Sequence, residues 1–266
     1  SGPTREFYSI LSKMFTRKSL NMWRGSLDSN PQDHNVKHLK FVGKAVDLDL
    51  DLDLNLKADT AEEHTATDQN KNEDTNDQSE NHFCLQELFP QPLVFTEREN
   101  NAVASLFKFL GTFLARSLLD LEMVDFRFNE VFFQLLDTYV ENGCENKNLL
   151  KLMETLSIPD GIDLITKIDK GIGKSFRFIY EQGLKNTSDN TGTCKDLLEL
   201  NIPYNLPGYD SFAMPSSSAS TEEYVSNANY KEYLRTCINM MLCEGILPCL
   251  QNFYEGFNTV LPYEAL

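Results

Sequence analysis

Residues 107–133 read FKFLGTFLARSLLDLEMVDFRFNEVFF, and the reading of this stretch decides the fold. It offers no nucleophile beside a base, no set of metal ligands and no phosphate-cradling loop. What it offers is core. Val103, Leu106, Phe107, Leu110, Phe113, Leu114 and Leu118 fall on one broad helical face, which predicts a helix over about 101–119. Asn129 is placed to cap a second helix that carries Val131, Phe132, Leu135, Leu136 and Tyr139. Two consecutive apolar helices of this kind form a scaffold rather than a cofactor box.

Working outward, Phe7, Ile10, Leu11 and Met14 recur at helical spacing, so 6–15 reads as an amphipathic helix that starts near Pro3-Thr4. Leu88 to Phe95 is an extended, proline-bounded piece. Residues 149–156 predict another helix, stopped before Pro159. Ile172, Phe176 and Ile179 share one face of a helix over 170–182, with Gly183 able to close it. Leu198, Leu200, Ile202, Tyr204 and Leu206 then alternate with polar residues and Pro203, which predicts a half-buried edge strand. Pro207-Gly208 turns the chain. Two closing helices are expected over about 229–243 and 246–256. One strand among many helices makes the fold class α+β, mostly α.

Residues 44–82 differ in kind. They hold twelve Asp/Glu against three Lys, a net of −9, and the whole chain carries −16, so the other 227 residues carry −7. Low hydrophobicity and high charge predict a disordered acidic insertion over 44–82. Asp51, Asp53, Asn55 and Glu62 occupy positions 1, 3, 5 and 12 of a calcium-loop pattern, but Leu56 stands where that loop needs glycine, so a solvated insertion is the better reading. With no basic patch, the chain is not expected to bind nucleic acid or an anionic membrane surface. It has no run of 18 apolar residues, so no membrane span is expected. The six cysteines contain no C-x-x-C pair, and Cys237, Cys243 and Cys249 repeat every six residues, off a common helical face. Neither zinc nor any other cofactor is expected. Reduced structural thiols imply an intracellular protein, in cytoplasm or nucleus.

Four separated blocks then stand in the order of one known family. The opening Gly2-Pro3-Thr4-Arg5-Glu6-Phe7-Tyr8 resembles that of the HECT-type ubiquitin ligases. Phe109-Leu110-Gly111 through Ala115, Leu118-Leu119-Asp120 and Asn129-x-x-Phe132-Phe133 are similar to the family's central helices. Lys174-Ser175, the 199–208 segment and Asn227-x-Asn229-x-Lys231-x-Tyr233 resemble its smaller subdomain, and Tyr254-x-Gly256-Phe257-x-x-Val260 the end of its N-terminal lobe. Leu-Asn-Met-Trp-Arg at 20–24 and Leu-Phe-Pro at 88–90 point to the ubiquitin-fusion-degradation branch. The family's catalytic cysteine lies in a C-terminal lobe within an H-T-C-F-N-type motif, which does not occur here.

The resemblance implies an N-terminal lobe, with a large helical part over 1–43 and 83–168 and a small α/β subdomain over 169–240. Residues 241–266 would return to the large part. Its implied partners are a ubiquitin-conjugating enzyme, ubiquitin and protein substrates, with ubiquitin passing through a cysteine outside this chain to substrate lysine. This fragment alone is therefore expected to be inactive. The groove for the conjugating enzyme would be Ile172, Phe176, Ile179, Leu200, Ile202 and Cys237, with Phe176 as its anchor. On spacing alone the same six side chains read as ordinary core, and the alternative is a non-enzymatic helical adaptor.

Overall fold

Helix α1 (Gly2–Phe15) buries Tyr8 and Phe15, and a short 3-10 turn (Lys18–Leu20) delivers Met22 and Trp23 into the interior. The computed structural model describes residues 2–24, 87–144, 146–188, 197–214 and 224–265, all within one compact unit. The expected insertion at 44–82 and its calcium-like pattern lie outside the described residues.

Helix α2 (Glu97–Leu119) starts one turn earlier than its apolar stripe predicts, because Thr96 and Glu99 form a capping box. The Glu99 N–H donates to Thr96 Oγ1 at 3.4 Å, and the Thr96 N–H donates to Glu99 Oε2 at 3.1 Å. Its inner face buries Val103, Phe107, Leu110 and Phe113, while Leu118, expected on that face, is 45% exposed. By length and composition α2 could cross a membrane. Its packing is that of a core helix, with one face inside the unit and Arg98, Lys108 and Arg116 on the other.

Helix α3 (Glu130–Cys144) is capped as expected, the Val131 N–H donating to Asn129 Oδ1 at 3.0 Å. Helix α4 (Asn146–Thr155) follows. Pro159 does not merely end a helix, because it lies in the first turn of α5 (Ile158–Ile168), which Ser157 caps. Proline is tolerated there, where its missing N–H would have had no partner. Helix α6 (Lys170–Ser188) runs well past Gly183. That glycine is a packing site, not a stop: a Cβ on it would lie 2.5 Å from the Tyr230 ring.

The expected strand over 198–206 is corrected. Leu197–Leu200 is a 3-10 turn, and Asn201 adopts a left-handed φ of 47°. Apart from one isolated bridge of Pro203 to Tyr224, pairing in this segment begins at β1 (Asn205–Leu206), antiparallel to β2 (Tyr209–Ala213). Gly208, at φ 86°, makes the turn between them. Proline and two local turns prevail over alternation here, because the Pro203 nitrogen has no hydrogen to give a ladder.

Helix α7 (Tyr230–Asn239) continues into a π-helical turn (Met240–Glu244) and then α8 (Leu247–Asn258). Helices α2 and α8 touch backbone to backbone. A Cβ on Gly111 would stand 2.1 Å from the Phe253 carbonyl oxygen, and one on Gly256 would stand 1.9 Å from that of Lys108. Thr112 Oγ1 donates across the contact to the Gly256 carbonyl at 3.0 Å. Around this seam Phe113, Phe126, Phe128, Phe132, Phe253 and Phe257 form a chain of ring contacts, mostly edge-to-face or tilted. The observed class is α+β, mostly α.

Candidate functional site

Asp169 is the single residue between α5 and α6, and it serves both. Its N–H closes α5 on the Ile165 carbonyl at 2.7 Å. Its Oδ1 accepts the N–H groups of Gly171 at 2.9 Å and Ile172 at 3.0 Å, so one carboxylate starts α6. Its Oδ2 lies 3.7 Å from the guanidinium of the nearly buried Arg24.

Opposite α6 runs the irregular segment 202–207. The Val225 N–H donates to the Ile202 carbonyl at 2.8 Å, and Pro203 bridges Tyr224. Asn229 braces the same corner, donating to the Tyr224 carbonyl and accepting from the Ser226 N–H. Between helix and segment lies a hollow of about 620 Å³ with predominantly apolar walls. Ile172, Phe176, Phe178 and Ile179 line one side, Ile202, Pro203 and Pro207 the other, and Tyr233 the base.

Four of the six residues expected here come together in this hollow: Ile172, Phe176, Ile179 and Ile202. Leu200 sits on the 3-10 turn, 37% exposed, and does not line it. Cys237 has no exposed surface, and its Sγ lies 3.8 Å from Met214 Sδ. Phe176 is only 1% exposed and stands edge-on to Tyr233, so it forms the floor rather than a projecting anchor. Phe178, 48% exposed on the rim, presents the accessible ring. Sequence reasoning followed the Ile172–Phe176–Ile179 stripe and passed over it. The available signal was an aromatic residue standing off that stripe, one turn beyond Lys174, where a helix normally carries polar side chains.

A second recess, of about 380 Å³, lies between α4 and α7. Glu154, Arg235 and Glu244 are among its walls, which are more polar than those of the hollow. Among the described residues no three of His, Cys, Asp or Glu gather to hold a metal ion. The described free cysteines are inert by environment. Burial pushes the Cys237 thiol up to about 12 and the Cys243 thiol to about 11, and it raises the fully buried Cys249 as well.

The HECT-domain (ubiquitin-transferase) family profile matches residues 9–266. The chain belongs to this family. It is 30% identical over 270 residues to ubiquitin fusion degradation protein 4 of Saccharomyces cerevisiae, covering all of this chain and 14% of that protein. A probable ubiquitin fusion degradation protein of Schizosaccharomyces pombe is 28% identical over 265 residues, with 100% and 12% covered. E3 ubiquitin-protein ligase TRIP12 of Danio rerio is 22% identical over 286 residues, with 100% and 11% covered. The chain thus spans roughly a seventh or less of each relative's length, and the yeast matches fit the ubiquitin-fusion-degradation branch of HECT proteins.

Proposed function

We propose that this HECT chain is the docking lobe of a ubiquitin transferase and that the α6 hollow receives a ubiquitin-charged conjugating enzyme. Ubiquitin then passes to a catalytic cysteine outside these residues, held as a thioester, and on to a substrate lysine. The lobe contributes proximity: it turns a chance encounter of two thiols into a neighbouring transfer. Within the lobe, the described residues of 169–240 carry the hollow, and the described residues of 1–43, 83–168 and 241–266 form the helical body that supports it.

The observation that carries this reading is the hollow itself. It joins a helix to a proline-stiffened segment, keeps its walls predominantly apolar, and leaves one aromatic ring, Phe178, on the rim. A carrier that must leave after each transfer needs a small, transient interface whose affinity rests on a few anchors. The buried thiols support placing the chemistry elsewhere, since a nucleophilic cysteine needs a lowered pKa and theirs are raised. An intracellular setting, with neither nucleic acid nor membrane as a partner, goes with this reading.

Calorimetric titration of the chain with a panel of ubiquitin-conjugating enzymes tests it. At least one enzyme should bind, and Phe178→Ala should cost about 2 kcal/mol, roughly a thirtyfold loss of affinity. Binding unchanged by Phe178→Ala, or absent across the panel, would overturn the assignment.

A further inference from the structure

The stretch between α2 and α3 carries a feature that docking at the α6 hollow does not use. Helix α2 ends in a Schellman arrangement: the Leu121 N–H donates to the Leu118 carbonyl at 3.2 Å and the Glu122 N–H to the Ser117 carbonyl at 3.0 Å. The residue placed left-handed at its heart is Leu121, at φ 54°. Glycine is the usual occupant, because a Cβ is strained there. Yet Leu121 is 91% exposed, so no burial within the described residues offsets the strain. Met123 is 87% exposed, and Leu118 and Leu119 are 45% and 50% exposed beside them. Four large aliphatic side chains within six residues are unusual on a free surface.

The backbone that follows is extended. Exposure alternates strictly from Leu121 to Phe128: Glu122, Val124, Phe126 and Phe128 are half-buried, and Met123, Asp125 and Arg127 are exposed. Phe126 packs on Phe15, Phe113 and Phe128. This is a strand in all but its pairing. Only its end is bridged, where the Leu88 N–H donates to the Arg127 carbonyl at 2.6 Å and the Asn129 N–H to the Leu88 carbonyl at 3.0 Å. Among the described residues, the N–H groups of Met123 to Phe128 donate to no backbone carbonyl. Because Arg127 and Asn129 point their backbone groups toward Leu88, strand geometry turns those of Val124, Phe126 and Phe128 to the opposite edge. Among the described residues no backbone group pairs with that edge, and no proline interrupts it.

We propose that residues 122–128 form an acceptor edge for β-strand addition, filled by an extended segment of the longer polypeptide outside these 266 residues. Strand addition fits a row of backbone donors and acceptors that find no partner among the described residues, with the neighbouring aliphatic side chains covered by the incoming strand. An occupant from the same polypeptide is favoured by length, since this chain spans 14% of its budding-yeast relative. Leu121 then has a role: it trades local strain for contact with the added strand. This reading is independent of the α6 hollow, so either can fail alone.

Hydrogen exchange of the Val124, Phe126 and Phe128 amides, followed in this chain and in the full-length protein, tests the proposal. All three should exchange close to the unprotected rate in the chain and at least about a hundredfold more slowly in the full-length protein. Leu121→Gly provides a second readout. It should leave the melting temperature of the chain unchanged or higher and lower that of the full-length protein by several degrees. Amides as fast in the full-length protein as in the chain would overturn the proposal. So would protection in the chain that grows with its concentration, which would mean pairing between copies, or protection that appears only when a separate protein is added.

Discussion

The Phe176 ring stands edge-on to the Tyr233 ring, centroids 6.2 Å apart and planes at 83°, beneath the hollow that Phe178 overlooks. Two phenylalanines two residues apart therefore have different work. Phe176→Ala should remove a buried ring and cost about 3–5 kcal/mol of folding stability. Phe178→Ala should leave stability within about 0.5 kcal/mol, as for an ordinary surface change. Urea denaturation of both variants checks this, and equal losses would mean that the rim ring is part of the core.

Gly111 and Gly256 let two helices approach until backbone meets backbone. Alanine at either position would press a methyl group into a carbonyl oxygen of the facing helix. Overpacking typically costs about 1–3 kcal/mol, and a contact that only backbone movement can relieve should reach the upper end. Gly111→Ala and Gly256→Ala should each lower the urea midpoint with an unchanged slope. The pair should be less than additive, because one helix shift relieves both clashes.

Asp169 starts α6 through its carboxylate, so Asp169→Ala should cost about 0.5–2 kcal/mol of stability. It should also weaken docking at the hollow, because Ile172, whose N–H the carboxylate accepts, begins the hollow's wall. Asp169→Asn keeps an accepting oxygen and should restore most of both. Melts and binding titrations of the two variants side by side decide this. Alanine and asparagine behaving alike would remove the cap from the account.

Stability should fall in alkali. Burial holds Cys237 near 12, Cys243 near 11 and Tyr209 near 12 in the folded chain, against ordinary values of 9.0 for the thiols and 10.0 for the phenol. Above pH 9 the unfolded state releases these protons while the folded state keeps them, so the unfolded state binds fewer protons and stability declines. The contribution is fully present below pH 9 and is lost between pH 9 and about 12. Each thiol titrating only in the unfolded state contributes a slope of up to about 1.4 kcal/mol per pH unit. Melting temperatures at pH 8, 9.5 and 11 should therefore drop progressively, and Cys237→Ala should flatten the decline.

The chain incubated with activating enzyme, conjugating enzyme and ubiquitin should form no reducible thioester of its own. A reducible adduct abolished by a single Cys→Ser change would move the chemistry into these residues.

What the sequence determined by itself was local. The apolar stripes of 103–118 and 131–139 located those helices and, Leu118 excepted, the face that turns inward, because a helix's period is a property of the chain alone. The cap at Asn129 was legible for the same reason, and so was the stripe Ile172–Phe176–Ile179. Tertiary structure decided the rest. Alternation at 198–206 looked like a strand, but a ladder needs a partner, and among the described residues this segment has a single isolated bridge, at Pro203, before it pairs from Asn205 onward. Gly183, read as a stop, became a seat for Tyr230, because only packing reveals what a missing side chain makes room for. Periodicity places Phe176 and Cys237 on buried faces, but it does not say how much of a face remains open. That depends on what the opposing segment leaves uncovered: here Phe176 became a floor, Cys237 vanished into the core, and Phe178, off the stripe, became the exposed ring of the hollow.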